Sequence, residues 1–113
     1  MKAGDIVLLR FPQVDLTAGK LRPALVIAIA PGRHPDVLLA LITSRPYQEA
    51  PDLDEVIAPT EADFTSSGLK ARSVIRLTRL VSLEESVINA RLGEISPERL
   101  RRIKKSLAEW IEK

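Results

Sequence analysis

Arg22 combines a planar cation with a constrained backbone, which suits a phosphate-binding site. Pro23 follows it directly and disfavours the helical conformation for Arg22, so this residue is expected to be extended. The apolar run that begins at Ala24 predicts a strand anchored in the core. A guanidinium at the start of such a strand offers several donors in a fork that matches phosphate oxygens. Taken alone, the pattern also fits a surface arginine that begins a strand.

A second group of polar residues, Thr43, Ser44 and Arg45, follows the next apolar run, residues 37–42. The hydroxyl groups of Thr43 and Ser44 can donate hydrogen bonds to a phosphate oxygen. Thr43 also fits a simpler interpretation, because β-branched residues commonly end strands.

Metal-dependent chemistry has weak support in the sequence. His34 is the only histidine, which excludes a mechanism with two catalytic histidines and a histidine-rich metal site. Carboxylates cluster at Asp52, Asp54 and Glu55 and again at Glu61 and Asp63. Some nucleases hold divalent cations with such clusters, but no further ligand spacing accompanies them here. We therefore predict no metal and no other cofactor.

Composition predicts one globular domain over residues 1–113. Apolar residues make up 45% of the 113, enough for a packed core, and aromatic residues only 4%, so the core must be aliphatic. Few aromatic side chains are present for stacking on nucleic-acid bases, and a net charge of +2 permits RNA binding without indicating it. The absence of cysteine fits a reducing cytoplasm. We expect neither a signal peptide nor a membrane span.

Short strands dominate the predicted secondary structure. Apolar runs and breakers predict strands at residues 6–9, 24–30, 37–43, 55–58, 73–77, 79–83 and 87–95. The same signals predict loops at residues 11–21 and 45–54, and a breaker at residues 66–68. One helical turn is predicted at residues 59–64, with Thr60 as its N-cap.

A C-terminal helix has the clearest signal. Ser96 is a good N-cap, and Pro97 suits the first helical position. Apolar residues recur at helical spacing on one face, at Leu100, Ile103, Leu107, Trp110 and Ile111, and we expect Trp110 to join the core. Basic residues fall on the opposite side, where they favour a solvated face. The predicted fold is mainly β with a C-terminal helix: a small SH3-like barrel.

Four segments together resemble the MazF/PemK family of toxins from type II toxin–antitoxin systems. They read G-D-I-V-L-L-R-F-P at residues 4–12, K-L-R-P-A-L-V-I at 20–27, L-I-T-S at 41–44 and S-G-L-K-A-R-S-V-I-R-L at 67–77. The resemblance implies a MazF/PemK/CcdB-like fold and a sequence-selective, metal-independent endoribonuclease of single-stranded RNA. It also implies a cytoplasmic homodimer that a cognate antitoxin neutralises.

The resemblance also implies site residues. Family members bring together an arginine of the R-P segment and a threonine or serine after the third strand, which Arg22 and Thr43 match as candidate catalytic residues. In the implied reaction the 2′-hydroxyl attacks the adjacent phosphate, and the enzyme stabilises the added charge. Further candidates for substrate binding are Asp15, Lys20, Ser44, Arg45, Arg76 and Thr78.

One position departs from the pattern of some family members. Certain PemK-type toxins carry an acidic general base two residues after an arginine, where this sequence reads Arg76-Leu77-Thr78. Thr78 cannot serve as that base. An alternative function is therefore a non-catalytic module of the same fold, which binds a protein target, RNA or antitoxin without cleavage.

Overall fold

The structure, a computed structural model, describes residues 1–10, 20–45, 50 and 52–113. Its strands are β1 (Asp5–Arg10), β2 (Leu21–Ile29), β3 (Asp36–Thr43), β4 (Glu55–Ile57), β5 (Ser73–Glu84) and β6 (Ile88–Glu94). Its helices are α1 (Phe64–Ser67) and α2 (Pro97–Glu112), and a 3-10 turn, Glu85–Val87, joins β5 to β6. The predicted fold class, mainly β with a C-terminal helix, is confirmed.

The strands form one six-stranded antiparallel sheet in the order β4-β5-β3-β2-β1-β6. The sheet is not closed, so the expectation of a barrel needs correction: β4 and β6 are its two edges. α1 packs against β6, where a closed barrel would have a further strand. Gly93 of β6 permits this contact, because a Cβ there would lie only 2.7 Å from the carbonyl oxygen of Ser67.

Both faces of the sheet are buried at its centre, as the continuous apolar run of β2 predicts. Leu25 and Ile27 of β2 belong to a cluster that includes Ile103 and Leu107 of α2. Ala24 and Val26 face the other way, into a second buried cluster with residues of β1 and β3. The helix therefore covers one face of the sheet only.

β5 is one long strand where the sequence predicts two. Its pairing with β3 shifts register between Ala40 and Leu41, whose partners on β5 are Leu80 and Arg76. The intervening residues form a bulge that includes Thr78 and interrupts the pattern along the strand. The carboxylate of Asp54 accepts a hydrogen bond from the backbone N–H of Leu77 at 2.8 Å, so this N–H is satisfied without a strand partner.

The short helix begins later than predicted. α1 begins at Phe64 with Asp63 at its N-cap, so the prediction of Thr60 as cap is wrong, and the predicted breaker at residues 66–68 holds only for Gly68. Gly68 ends the helix in the left-handed conformation, at φ 77°. The Ser67 hydroxyl donates to the Phe64 carbonyl and accepts from the Leu69 N–H, which fixes the exit of the chain.

α2 begins as predicted but is less buried at its end. The Ser96 hydroxyl accepts a hydrogen bond from the Arg99 N–H at 3.1 Å, and Pro97 occupies the first turn. Trp110 is 45% exposed, so the prediction that it joins the core is wrong. Helical spacing shows which face of α2 is apolar. It does not show whether the sheet extends far enough to cover the last turn of that face. Among the described residues, no helix is long and apolar enough to cross a membrane.

Candidate phosphate-binding groove

A groove of about 500 Å³ lies at the end of the sheet where β2 begins and β3 ends. It is lined by Leu8, Lys20, Arg22, Pro23, Ile42, Thr43, Ser44, Arg45, Gly68, Leu69, Lys70, Ala71, Ser73 and Leu92. One wall consists of the ends of β2 and β3, and the other consists of the segment between α1 and β5, residues 68–71. We call this segment the 68–71 wall.

Arg22 and Thr43 stand on neighbouring strands. β2 and β3 pair antiparallel from Ala24, opposite Leu41, onwards, and Arg22 and Thr43 each lie two residues beyond that pair, towards the groove. A planar cation and a hydroxyl group therefore line the same end of the sheet, and both residues are half-buried.

The hydroxyl group of Thr43 is oriented by its own turn. Its Oγ1 accepts a hydrogen bond from the backbone N–H of Arg45 at 3.1 Å. Because a hydroxyl both accepts and donates, this contact leaves the proton of Thr43 to be donated to a ligand in the groove. The same hydrogen bond folds the chain after β3, so that Ser44 and Arg45 also line the groove.

The 68–71 wall is anchored at several points. Leu69 packs against the main core, and its N–H donates to the Ser67 hydroxyl at 3.1 Å. The hydroxyl of Ser73, which is only 3% exposed, donates to the carbonyl of Ala71 at 2.9 Å. At the other end a Cβ on Gly68 would lie 2.5 Å from the carbonyl oxygen of Leu92, so only glycine permits this approach to β6.

Leu92 is the extra residue of a bulge in β6. The pairing of β1 with β6 shifts between Ile6, which faces Gly93, and Val7, which faces Arg91. Bulges redirect the side chains that they insert, and Leu92 lines the groove. The groove therefore brings together residues from an edge strand and from the interior of the sheet.

The described part of the groove is electropositive. The described residues that line it include four cationic side chains, Lys20, Arg22, Arg45 and Lys70, and no carboxylate. Cations gathered in a concave surface concentrate the field and attract anions. A phosphodiester chain is an anion that fits both this charge and the hydroxyl donors of Thr43 and Ser44.

The groove contains most of the residues predicted from the sequence. Lys20, Arg22, Thr43, Ser44 and Arg45 all line it, whereas Asp15 lies outside the described residues. Of the loops predicted at residues 11–21 and 45–54, residues 11–19, 46–49 and 51 lie outside the described residues.

Arg76 and Thr78 do not line the groove. Thr43 pairs with Val74, so Arg76, two residues further along β5, is a diagonal neighbour of Thr43 on the same face. Thr78 is exposed and sits in the bulge of β5.

Lys70 and Leu92 line the groove but are not among the residues predicted from the sequence. A glycine followed by Leu-Lys marked the end of a helix and a cation beside it, which is a usable signal for Lys70. No sequence signal marked Leu92, because its place depends on the bulge in β6.

Three of the clustered carboxylates, Glu55, Glu61 and Asp63, have structural roles. Asp63, Glu61 and Glu55 all pair with the guanidinium of Arg99, and Glu55 also pairs with Arg102. Among the described residues, no group of three or more metal-ligating side chains occurs. His34 is exposed in a turn and does not line the groove.

The Gly4-Asp5 motif also has a structural role. Gly4, at φ 97°, donates to the carbonyl of Val26 and accepts from the N–H of Ile95, which joins the start of β1 to both neighbouring regions. Asp5 is 2% exposed, and its carboxylate accepts from the backbone and side chain of Lys2 and pairs with Arg91. Burial raises the pKa of Asp5, but these hydrogen bonds outweigh burial and bring the pKa below its ordinary value.

Comparison with solved structures places the fold among bacterial toxins. A Mycobacterium tuberculosis toxin, MazF-mt6, superposes with a TM-score of 0.69 at 14% identity and covers 96% of each chain. A mycobacterial endoribonuclease in complex with its cognate antitoxin gives 0.67 at 15% identity, covering 99% of this chain and 95% of that one. A second mycobacterial endoribonuclease gives 0.65 at 18% identity, with coverage of 99% and 91%.

Sequence comparison is more specific than these structural likenesses. A search of curated proteins gives no significant match. Residues 2–111, however, match the family described as PemK-like, MazF-like toxins of type II toxin–antitoxin systems. The match spans the four segments that carry the resemblance and all the described residues of the groove. This chain therefore belongs to the family of PemK-like, MazF-like toxins of type II toxin–antitoxin systems.

Proposed function

We propose that this toxin is a metal-independent endoribonuclease that cuts single-stranded RNA by attack of a 2′-hydroxyl on the adjacent phosphate. The observation that carries the proposal is that Arg22 and Thr43, at the ends of the paired strands β2 and β3, line one groove together with the cations Lys20, Arg45 and Lys70. The family membership supports it, and so do the likenesses to two proteins named as endoribonucleases. In this proposal residues 1–113 act as one domain.

Arg22 and Thr43 would stabilise charge in the proposed reaction. As the 2′-oxygen attacks, negative charge accumulates on the phosphoryl oxygens, and the departing 5′-oxygen leaves a 2′,3′-cyclic phosphate. The fork of Arg22 can bind two of these oxygens, and the hydroxyl of Thr43 can donate to one of them. Because both side chains stand on paired strands, they are positioned before the substrate arrives.

The sheet and its turns supply this preorganisation. Pro23 follows Arg22 in β2 and faces Leu8 of β1, so the backbone of Arg22 is held next to an interior strand. Thr43 is held by the N–H of Arg45. A guanidinium stays protonated and a threonine hydroxyl is not a base near neutral pH, so we assign Arg22 and Thr43 to charge stabilisation and positioning and not to removal of the 2′-proton.

The proposal includes partners. One similar structure is an endoribonuclease in complex with its cognate antitoxin, and we propose a cognate antitoxin for this toxin as well. We also propose a homodimer that acts in the cytoplasm. Selectivity for an RNA sequence would come from the loops next to Lys20 and Arg45, since loops on a rigid sheet commonly carry specificity.

The direct test is cleavage of single-stranded RNA by the purified toxin in excess EDTA. We expect cutting at a limited set of sites, with 2′,3′-cyclic phosphate ends identified by mass spectrometry. DNA of the same sequence should remain intact, because it lacks the attacking hydroxyl. Strict dependence on added divalent metal, or equal cutting of DNA, would overturn the proposed chemistry.

A second candidate function is binding without cleavage. The observation that favours it is the absence of a carboxylate or imidazole among the described lining residues, which leaves the proton acceptor unassigned. The same experiment separates the two functions. Retention of RNA in a filter-binding assay with no cleavage product would establish the binding module.

A further inference from the structure

We propose that Lys70 binds a backbone phosphate next to the scissile one, so that the 68–71 wall holds the flanking part of the RNA. This inference rests on the proposed function. In this proposal the groove binds two phosphates of the RNA backbone, and only one of them reacts. Arg22 and Thr43 act on the phosphate that reacts, and Lys70 holds a phosphate that does not.

The backbone is anchored on both sides of Lys70. Leu69 is packed in the core and hydrogen-bonded to Ser67, and the carbonyl of Ala71 accepts from the buried Ser73. Lys70 itself is exposed. A charged side chain between two anchored neighbours has a fixed origin, so ordering it on a ligand costs side-chain entropy only.

Lys70 lies across the groove. Arg22 and Thr43 belong to paired strands, whereas Lys70 belongs to the wall that α1 and β6 support. A groove of about 500 Å³ separates these elements and is too large for one phosphate group to fill. An RNA backbone that enters the groove therefore presents more than one phosphate to its walls.

The two cations, Arg22 and Lys70, differ in their chemistry. Arg22 offers a planar fork that orients a phosphate, which suits the reacting group. Lys70 offers a compact charge on a flexible stem, which attracts a phosphate without fixing its orientation. The described lining residues include no carboxylate that would compete for the ammonium. Lys70 thus suits the holding of substrate and not the stabilisation of the transition state.

The expected effect of Lys70→Gln is a loss of RNA binding with little loss of turnover. Removing one phosphate contact to a single strand should reduce the slope of log Kobs against log salt by about 0.7. An exposed ionic contact contributes modestly, so affinity at low salt should fall by roughly two- to fivefold. KM should rise by a similar factor while kcat stays within about twofold, because the contact is equal in ground and transition states.

The experiment measures binding of an RNA that contains the wild-type cleavage site, with a 2′-deoxy sugar at the attacking position to prevent cutting. Single phosphates of this RNA are replaced in turn by neutral methylphosphonates. We expect the difference between wild type and Lys70→Gln to disappear for one replacement beside the scissile position. Lys70→Arg should retain the salt slope. Lys104→Gln, which removes an exposed lysine from α2, is the matched control and should change nothing.

The outcomes separate this inference from the proposed function. If the wild type cuts RNA but Lys70→Gln keeps its affinity and salt slope, the inference is wrong and the proposed function stands. Coupling of Lys70 to the scissile phosphate alone, or a fall in kcat at unchanged KM, also overturns it. A wild type that neither binds nor cuts RNA would instead overturn the proposed function.

Discussion

Arg99 of α2 donates two hydrogen bonds to Asp63 at the N-cap of α1, from Nε to Oδ2 at 2.8 Å and from Nη2 to Oδ1 at 3.1 Å. The side chains are 5% and 7% exposed. The same guanidinium donates to Glu55 and to the carbonyl of Val56 on β4. Burial lowers the pKa of Arg99 and Glu55 opposes that shift, yet an arginine stays charged at neutral pH. One cation thus joins α2, β4 and α1.

Arg99→Met should therefore destabilise the protein strongly. Breaking a buried ion pair leaves the remaining carboxylates without a partner, which costs about 3 kcal/mol or more of unfolding free energy. Arg101→Met is the matched control, since Arg101 lies on the same helix and is 72% exposed, and should change stability by less than about 0.5 kcal/mol. Urea unfolding of both variants gives the comparison. Equal values would mean that Arg99 contributes no more than a surface arginine.

Stability should depend on pH through Asp5. Because folding lowers the pKa of this carboxylate, the ionised form stabilises the fold above the ordinary pKa. That contribution is lost as pH falls through the lowered value, which lies in the acid range. Asp5→Asn should be less stable than wild type at pH 7, and the difference should shrink as pH falls from the ordinary pKa of an aspartate through the lowered pKa of Asp5. Urea unfolding across this range measures it, and a difference that stays constant would refute the assignment.

Gly93→Ala should separate α1 from β6. The added Cβ would lie 2.6 Å from the carbonyl carbon of Ser67, and backbone atoms cannot move aside as a side-chain end can. We expect a loss of about 1–3 kcal/mol in unfolding free energy and weaker RNA cleavage, because the 68–71 wall shifts with α1. Ala90→Ser, at an exposed position of the same strand, is the control. If Gly93→Ala has wild-type stability and activity, the backbone of α1 can move away from β6 without cost and this prediction is wrong.

Cleavage rates of four folded variants on one RNA should follow the distances of their residues from the groove. Arg22→Ala should lose about a hundredfold or more, and Thr43→Val should also lose strongly, because both remove charge stabilisation. Arg76→Ala should lie between, as a second cation on the same face. Thr78→Ala should lose less than tenfold, or about 1.4 kcal/mol of barrier. A loss in Thr78→Ala as large as in Arg22→Ala would mean that the site lies elsewhere.

Local chemistry explains which parts of the fold were predictable. Ser96 and Pro97 define the start of α2 by hydrogen bonding and a preset φ, and these causes lie within a few residues. β2 was recognisable because burial of both faces leaves a continuous apolar run. The bulge of β5 was not, because Thr78 lies there through pairing with β3 and a hydrogen bond from Leu77 to Asp54, which come from distant segments.

The groove, too, has one wall with a local signal in the sequence and one wall that depends on distant segments. Its first wall was expected from the family resemblance, and the local pattern agrees with it, since Arg22 lies at the start of one apolar run, Thr43 follows the next, and the two strands pair. Its second wall has one local signal, the Gly68-Leu69-Lys70 sequence after a helix, but the place of this wall beside β6 depends on the contact of Gly68 with Leu92. That contact depends on a bulge and on two glycines in separate elements. Tertiary relations of this kind leave little periodic signal in a sequence.

The position of β6 in the sheet also constrains when the groove can form. β1 is the first strand along the chain, yet one of its two partners is β6. In the register of these strands, Asp5 lies opposite Glu94. Contacts between such distant positions form slowly, because a long loop must close first. Leu92 can line the groove and contact Gly68 only after β6 has paired with β1. During synthesis, therefore, the groove stays incomplete until residues 88–94 have been made, long after the strands that carry Arg22 and Thr43.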